Sequence, residues 1–320
     1  MGFFTTGAGA PGGLAEGGRE ELRAVALASP RTSFSSPVSR AVPYGRRVEL
    51  PRRGTTFVRE VRGAAGAPTI LLLHGWMASG GLNWFPVFEP LAEHFNVVAP
   101  DLRGHARGLR ARRVFRLADC ADDCADTVVQ LGTGPVIAVG YSMGGPVAQL
   151  FWRRHRDLCD GLVLCATSPG FVPVARDRVV FTSMMAAAAV STRAGGMALQ
   201  HLPGMPRVAF NVNRAPATMR AWAAAEFRRH DWRMIVEAGH SLGTFHSGRW
   251  INEVDVPTAV VVTSADRAVS PYLQRNMAAS IPSASSFEID GGHTVCMRRS
   301  FAPTLVAACA DVAERVRVPS

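Results

Sequence analysis

The chain contains no lysine: all 35 of its basic residues, histidine aside, are arginine. They outnumber the 25 acidic residues and give a formal net charge of +10, which by itself would favour nucleic acid or an anionic membrane as a partner. An arginine-only set together with abundant alanine and glycine indicates GC-rich coding instead. We therefore expect a bacterial protein with solvated arginine faces and no nucleic-acid partner.

The sequence also lacks CxxC pairs, long apolar runs and a clear targeting signal. Its six cysteines show no dense spacing, as expected of reduced thiols in a cytoplasmic protein. The longest apolar stretch in the second half, VVFTSMMAAAAV at 179–190, is too short to cross a bilayer as a helix. No charged leader precedes an apolar run near the N-terminus, so we predict no transmembrane segment, no secretion and a cytoplasmic location.

Length and composition bound the organisation of the chain. With 320 residues, of which 48% are hydrophobic, it is large enough for one domain with an insertion. Residues 1–44 are rich in Gly, Ala, Ser and Pro without a sustained period, which is typical of a flexible leader. We predict a core in two parts, 45–170 and 251–320, separated by an insertion at 171–250.

Strand and helix patterns alternate along the core. The stretch RRVELPRRGTTFVREVRG at 46–63 predicts two short antiparallel strands at a sheet edge. Four nearly continuous apolar runs indicate strands covered on both faces and hence a parallel sheet, and apolar residues at helical spacing lie between them. The predicted fold class is therefore α/β, with a doubly wound, mostly parallel sheet. The later strands are predicted to begin at 68, 96, 135, 161, 257 and 285.

The interval 171–250 breaks this alternation, because it contains helical stretches and no convincing strand. We interpret it as a helical lid inserted between two strands. Its apolar side chains suggest a pocket for a medium or long acyl chain and allow transient contact with lipid; alternatively, they only attach the lid to the core. These side chains are Phe181, Met184, Met185, Val190, Met197 and Leu199.

A glycine-flanked serine follows the strand predicted at 135–140. The segment GYSMG at 140–144 fits the pattern G-x-S-x-G, and a helical pattern, PVAQLFWRR, comes after it. This context is what a nucleophile elbow demands, because small neighbours tighten a turn that exposes the Ser142 hydroxyl and aims the Met143 N–H at the group under attack. The alternative is a serine that only caps the helix.

A serine hydroxyl needs a histidine to take its proton and a carboxylate to orient that histidine. At this point the chain resembles an α/β-hydrolase of the lidded esterase and lipase type, over about residues 46–316. The chain departs from the family pattern at Ala106-Arg107 and at the strand end VTSAD, so its subgroup within the family stays open. The segments that carry the resemblance are LLLHGWMASG (71–80), DLRGHARG (101–108), GYSMGG (140–145), VPTAVVVTSADRAVSP (256–271) and IDGGHTVCM (289–297).

The resemblance implies a catalytic triad in the chain order serine, acid, histidine. Residue by residue, this order falls on Ser142, Asp266 and His293. Considered one at a time, Asp266 could be a loop-capping residue and His293 a surface histidine. The presence of both residues together with the elbow favours the triad over these alternatives.

The resemblance also implies an oxyanion hole built from main-chain N–H groups. The donors would be Met143 and Trp76, with Met77 as the alternative to Trp76. Residues that shape the two supporting loops would be His74, Gly75, Gly140, Tyr141 and Gly144.

Other ionisable residues compete for these roles. His240, Asp231 and Glu237 lie in the predicted lid, where we expect structural or substrate-contact roles, and the resemblance marks the loop of His105 as structural. The run DDCAD at 122–126 fits the DDxxD pattern of magnesium-diphosphate sites, but it is not repeated, and an acidic, solvated helix face is the simpler interpretation. We expect no metal and no cofactor.

These patterns predict a serine hydrolase that cleaves a carboxylic ester of a lipid-like or small acyl group through an acyl-enzyme. A serine at 142 argues against the epoxide-hydrolase and dehalogenase branches of the fold, which place an aspartate there. Thioester hydrolysis, carbon–carbon bond hydrolysis, acyl transfer and cofactor-free perhydrolysis use the same triad and stay open. So do a non-catalytic member that binds a small ligand, and the oligomeric state.

Overall fold

The computed structural model describes residues 42–172, 174–200 and 218–317, with side chains described as far as residue 194 in the second range. All but the last three positions of the predicted leader, 1–44, therefore lie outside the described residues. The side chains of Met197 and Leu199 lie outside them as well.

Eight strands form one sheet at the centre of the fold. They are β1 (Gly45–Leu50), β2 (Gly54–Val61), β3 (Thr69–Leu73), β4 (Asn96–Pro100), β5 (Val136–Tyr141), β6 (Cys159–Cys165), β7 (Thr258–Thr263) and β8 (Ser285–Ile289). Their spatial order is β1-β2-β4-β3-β5-β6-β7-β8, and β2 runs in the direction opposite to the other seven strands of this sheet. The predicted mostly parallel α/β sheet, with its antiparallel edge, is confirmed.

Nine helices accompany the sheet within the described ranges. They are α1 (Gly80–Trp84), α2 (Phe88–Ala92), α3 (Leu117–Leu131), α4 (Gly144–Arg154), α5 (Ala175–Gln200), α6 (Met219–Arg228), α7 (Trp232–Thr244), α8 (Pro271–Ser280) and α9 (Phe301–Arg317). Short 3₁₀ turns occur at Arg156–Leu158, Ile251–Glu253 and Val295–Met297. In this part of the chain, no helix combines the length and apolar character needed to span a bilayer.

Helices cover both faces of the sheet, which explains why its central strands are apolar without interruption. In β3, Leu71 and Leu73 pack into one buried cluster with α3, α4 and α8, whereas Ile70 and Leu72 pack into the opposite cluster with α2 and α9. Successive side chains of a strand point to opposite faces, so a strand between two helical layers needs apolar residues at every position.

The acidic face of α3 is paired with basic side chains and is not simply solvated, which corrects the expectation from the sequence. Asp123 is buried and accepts hydrogen bonds from Arg103 at 2.7 and 2.8 Å. Asp122 accepts from Arg154 at 2.7 Å and lies 2.8 Å from His155 Nε2. Burial leaves a carboxylate without water, and an arginine fork replaces that solvation with paired hydrogen bonds. Among the described residues, no three or more His, Cys, Asp or Glu side chains are placed so that together they could hold a metal ion.

The helices α5, α6 and α7 lie between β6 and β7, and no strand occurs in the described part of that interval. Within it, α5 packs along α7. Glu226 of α6 is fully buried and joins this helical segment to the core, because it accepts hydrogen bonds from Ser79 at 3.1 Å and from Arg107 at 2.9 Å. Arg229 also pairs with Glu226, at 3.1 Å.

Candidate active site

Ser142 lies in the sharp turn between β5 and α4. Its φ of 53° falls in the left-handed region, which is uncommon for residues other than glycine. Its N–H donates to the carbonyl oxygen of Cys165 at 3.0 Å. A Cβ at Gly140 would collide with the carbonyl oxygen of Gly144, and a Cβ at Gly144 would collide with that of Leu73. The glycines of the pattern thus permit the backbone packing that holds the serine at the carboxyl edge of the sheet.

The structure brings Ser142, His293 and Asp266 into one hydrogen-bonded row. His293 Nε2 lies 2.9 Å from Ser142 Oγ, and His293 Nδ1 lies 2.8 Å from Asp266 Oδ2. The three residues follow β5, β8 and β7, whose carboxyl ends share one edge of the parallel sheet. The Asp266 side chain is fully buried and that of His293 is 28% exposed, so the row leads from the interior outward.

The Asp266 carboxylate has several hydrogen-bond partners besides His293. Its Oδ1 accepts from the N–H groups of Ala268 and Val269 at 2.8 and 3.0 Å, and its Oδ2 accepts from the Thr263 hydroxyl at 2.8 Å. Burial alone would raise its pKa, but the hydrogen bonds from His293 and Val269 outweigh that effect and hold the pKa of Asp266 below its ordinary value. An ionised carboxylate at this position can keep the His293 proton on Nδ1.

Gln274 of α8 extends this network into the core. It is fully buried, and its Nε2 donates to Thr263 Oγ1 at 2.9 Å and to the Val269 carbonyl at 2.8 Å. Its Oε1 accepts from the Thr263 N–H at 3.0 Å. Sequence reasoning missed both Thr263 and Gln274, whose signal is weak: a threonine that ends an apolar strand, and a glutamine eight residues beyond the aspartate.

Tyr141, predicted as a supporting residue of the elbow, holds the main chain of the histidine. Its hydroxyl donates to the His293 carbonyl at 2.8 Å. The ring is packed edge-on against Trp84 and Phe301. Burial raises the pKa of Tyr141 well above its ordinary value, so the phenol keeps the proton that it donates.

The loop after β3 passes directly beside Ser142. A Cβ at Gly75 would lie 3.4 Å from Ser142 Cβ. The Gly75 N–H donates to Asn83 Oδ1 at 3.0 Å, a contact that sequence reasoning missed. Among the described residues, no acceptor is bonded to the N–H of Trp76 or to that of Met143. Two main-chain donors next to the serine are thus left available.

Three buried histidines lie behind this loop. His74 accepts from the Leu102 N–H on Nε2 at 2.9 Å, so its proton is on Nδ1, which donates to the Gly75 carbonyl at 2.8 Å. The His105 ring lies 5.1 Å from that of His74 and 5.5 Å from that of His230, a residue that sequence reasoning missed. Burial lowers the pKa of all three, that of His74 to about 3, and the cluster is therefore neutral near pH 7.

The competing ionisable residues make other contacts. His240 Nδ1 lies 3.1 Å from a carbonyl oxygen of α5. Asp231 caps the N-terminus of α7 through the Met234 N–H at 3.2 Å, and Glu237 forms an ion pair with Arg193 at 2.7 Å. None of these three residues has a described contact with the row of Ser142.

A cavity of about 490 Å³ opens beside Ser142 and His293. The loop after β3, α1, α6 and the segment that follows His293 form its walls. Among the residues that the structure describes, no carboxylate or arginine lines it. Apolar side chains dominate the lining, among them Trp76, Leu82, Ala223, Ala224, Phe227 and Met297.

Of the side chains predicted from sequence as a lid pocket, the four that the structure describes, Phe181, Met184, Met185 and Val190, are not among the residues that line this cavity. Phe181 and Met185 lie on the side of α5 that meets α7, where Gly243 and Gly239 leave room for them. Met184 points away and is 60% exposed. The physical reason is the packing of α5 along α7, which leaves α6 to form the cavity wall.

Known proteins match this chain in sequence. The model of the Alpha/beta hydrolase family matches residues 70–308. A soluble epoxide hydrolase of Corynebacterium sp. is 37% identical over 112 residues, 35% of this chain and 38% of that protein. A pimeloyl-(acyl-carrier protein) methyl ester esterase of Chromobacterium violaceum is 39% identical over 105 residues, 33% of this chain and 39% of that protein. In both, the match spans less than two fifths of the relative's own length.

A longer match at lower identity, and several solved structures, extend the similarity. A poly(3-hydroxyalkanoate) depolymerase of Ectopseudomonas oleovorans is 26% identical over 217 residues, 68% of this chain and 75% of that protein. A thermophilic esterase from Thermogutta terrifontis has a TM-score of 0.65 at 23% identity, covering 86% of this chain and 100% of that one. The enol-lactonase from Burkholderia xenovorans has a TM-score of 0.63 at 20% identity, covering 83% and 100%. At these identities the structural likeness concerns the fold alone.

Proposed function

The chain belongs to the alpha/beta hydrolase family, and from this premise we propose that it is a serine esterase that works through an acyl-enzyme on Ser142. The observation that carries the proposal is the row of hydrogen bonds from Asp266 through His293 to Ser142, at 2.8 and 2.9 Å. A hydroxyl in this arrangement loses its proton to the imidazole as it attacks, which is how a weak nucleophile becomes effective.

In the proposed first half-reaction, Ser142 Oγ attacks the carbonyl carbon of the ester while His293 Nε2 takes the hydroxyl proton. The oxyanion of the tetrahedral intermediate accepts hydrogen bonds from the N–H groups of Trp76 and Met143, which have no other described acceptor. Asp266 stabilises the imidazolium. The proton then passes from His293 to the alcohol, which leaves as the carbon–oxygen bond breaks.

In the second half-reaction, water takes the place of the alcohol. His293 removes a proton from the water as it attacks the acyl carbon, and the same two N–H groups hold the oxyanion. The proton returns to Ser142 Oγ, and the carboxylic acid is released. The free enzyme is regenerated without any change of oxidation state.

The cavity favours an uncharged, apolar substrate. Its volume of about 490 Å³ is within the ordinary range for small-molecule sites, and its described lining contains no carboxylate or arginine that would recognise a charged group. We interpret the insertion at 171–250 as a lid, with Ala223, Ala224 and Phe227 of α6 facing the substrate. Two of the relatives are named as a methyl ester esterase and a depolymerase of a poly(3-hydroxyalkanoate), which agrees with ester hydrolysis.

The test is a series of p-nitrophenyl esters from acetyl to palmitoyl, hydrolysed by the wild type and by Ser142→Ala. We expect hydrolysis by the wild type and a loss on the order of 10⁵-fold in kcat for the variant, with an unchanged circular dichroism spectrum. Ser280→Ala, which removes an exposed hydroxyl on α8, is the matched control and should keep wild-type kinetics.

Two outcomes would contradict the proposal. Retained turnover by folded Ser142→Ala would remove the serine from the mechanism. A folded wild type that cleaves none of the esters would contradict ester hydrolysis, and thioester substrates and plain ligand binding would be the next candidates.

A further inference from the structure

We propose that His230, in the loop between α6 and α7, is a positioning residue that sets the turn carrying the Trp76 N–H. The inference rests on the proposed function, since the N–H matters only if it binds an oxyanion. His230 touches no reacting atom in this scheme. It would act through the main chain of the turn at 75–78.

The hydrogen bonds of His230 connect two loops of the core. Its Nδ1 accepts from the Ala106 N–H at 2.8 Å, and its Nε2 lies 3.1 Å from the Met77 carbonyl oxygen. A main-chain N–H can only donate, so Nδ1 is the acceptor and the proton of the neutral ring is on Nε2. Nε2–H therefore donates to Met77, and both ring nitrogens are used. Only 6% of the residue is exposed.

The turn that His230 contacts has a strained residue in its second half. The Ala78 N–H donates to the Gly75 carbonyl at 3.3 Å and closes a four-residue turn. Met77, the third residue of that turn, has a φ of 59°, in the left-handed region that turns of this kind usually give to glycine or asparagine. Side chains other than these hold such a conformation only when the surroundings fix it. A hydrogen bond to the Met77 carbonyl is one such restraint.

The other central residue of the turn, Trp76, also forms a hydrogen bond with this helical segment. Trp76 Nε1 donates to the Ile235 carbonyl of α7 at 2.9 Å. The indole lies against Gly239, where a side chain would collide with it. The loop and helix at 230–239 thus hold both Trp76 and Met77, and the direction of the Trp76 N–H depends on them.

The ring is neutral in the folded protein. Burial, partly offset by the bond to Met77, lowers the pKa of His230, and the guanidinium of Arg110 acts in the same direction as burial. Asp101 and Glu226 act in the opposite direction without outweighing it. The neutral ring is the form that can both accept from Ala106 and donate to Met77.

Two amide replacements separate the two hydrogen bonds. The amide group of glutamine reaches about as far as Nε2 of histidine, so His230→Gln can still donate to Met77. The shorter amide of asparagine overlays Nδ1, so His230→Asn can still accept from Ala106 but loses the bond to Met77. His94→Asn and His94→Gln, at an exposed histidine outside the site, are the matched controls.

The variants are compared by kcat and KM for the preferred p-nitrophenyl ester, and by the rate at which a fluorophosphonate labels Ser142. The phosphonate needs the oxyanion donors but no ester turnover. We expect His230→Asn to lower kcat and the labelling rate about tenfold with little change in KM, and His230→Gln to keep roughly a third or more of both. Thermal unfolding of each variant controls for lost stability.

The outcomes distinguish this inference from the proposed function. Equal losses in the two His230 variants, or wild-type rates in His230→Asn, would overturn the positioning role. If the wild type cleaves no ester but Ser142 is labelled, the proposed function fails, and the labelling rates still decide the role of His230. If the fluorophosphonate does not label Ser142 in the wild type, both proposals fail.

Discussion

The Asp266 carboxylate and the turn of Trp76 and Met77, both near Ser142, are held by different parts of the chain. The carboxylate and its partners, which we call the acid side, are held mainly by residues close to Asp266 in sequence. Asp266 is fixed by the Thr263 hydroxyl, three residues earlier, and by the N–H groups of Ala268 and Val269, two and three residues later. Gln274, eight residues later, closes the network. The segment from the end of β7 to the first turn of α8 therefore supplies every described contact of the carboxylate except the one with His293.

The side of the proposed oxyanion donors, which we call the oxyanion side, is assembled from distant segments. Trp76 donates to Ile235, 159 residues away, and Met77 accepts from His230, 153 residues away. These bonds form only when the helices between β6 and β7 have packed on the core. The carboxylate position is therefore set mainly within one short segment, whereas the turn of Trp76 and Met77 is held by the helices and loop between β6 and β7.

The largest fall in kcat is expected when the negative charge of Asp266 is removed. Asp266→Asn keeps the shape of the side chain but removes the charge that holds the His293 proton on Nδ1, so kcat for p-nitrophenyl esters should fall on the order of 10⁴-fold. Steady-state kinetics and a thermal unfolding curve measure this. Asp160→Asn, at an exposed position near the opposite end of the sheet, is the control. Wild-type kcat in Asp266→Asn would exclude the carboxylate from the mechanism.

The two sides should contribute differently to the pH dependence of the free energy of unfolding. The pKa values of His74, His105 and His230 are lowered by burial, so below about pH 6.5 the unfolded chain binds protons that the folded chain does not. The free energy of unfolding should then decrease with falling pH, by up to about 1.4 kcal/mol per pH unit for each histidine. For His74, whose pKa is about 3, the decrease continues down to that pH.

Asp266 should not contribute to this decrease in the free energy of unfolding between about pH 7.5 and pH 5. The pKa of Asp266 is lowered, so the stability it supplies is lost only as the pH falls below the ordinary aspartate value of about 3.9. Urea unfolding of the wild type and His74→Gln between about pH 7.5 and pH 5 measures the slopes, and the variant should have the smaller one. Equal slopes would show that His74 does not titrate as its burial implies.

Loss of the hydrogen bond from Trp76 to Ile235 should lower kcat less than loss of the Asp266 charge does. Trp76→Phe keeps most of the ring but removes the indole donor to Ile235, so we expect about a tenfold lower kcat, the equivalent of one hydrogen bond. KM should change less than kcat. Trp250→Phe, at a ring that stacks on Trp152, serves as the control and should keep wild-type kcat. An unchanged kcat in Trp76→Phe would mean that the turn keeps its geometry without the hydrogen bond to Ile235.

The smallest effect is expected where the acid side loses one of several partners. Thr263→Val removes a single donor to Asp266 and leaves both main-chain donors in place, so kcat should fall only about threefold to fivefold. Thr258→Val, at a buried threonine on the same strand whose hydroxyl donates to the Val256 carbonyl, is the control for lost stability. A matching fall in kcat for both variants would assign the effect to the strand and not to the carboxylate.

Sequence patterns predicted the fold more completely than the site. The six later strands and the antiparallel edge were predicted at nearly their observed positions. Four of these strands were recognisable because a strand buried on both faces needs an uninterrupted apolar run. The glycines around Ser142 were recognisable for a similar reason, since close backbone packing tolerates no side chain there. The cavity wall was assigned to α5 and is formed by α6, because both helices carry apolar side chains and the sequence does not state which one meets the core.

The amino-acid sequence was sufficient to predict the parallel sheet and the sharp turn at Ser142, because both follow from local steric rules and from the period of apolar residues, which act within a few residues of each position. Asp266 and His293 were assigned from the resemblance to α/β-hydrolases and not from these rules. Three features required the folded structure: which N–H groups lack an acceptor among the described residues, which helix lines the cavity, and the hydrogen bond from His230 to Met77. Such contacts join residues more than a hundred positions apart, and their energies depend on surfaces that exist only after the helices have packed.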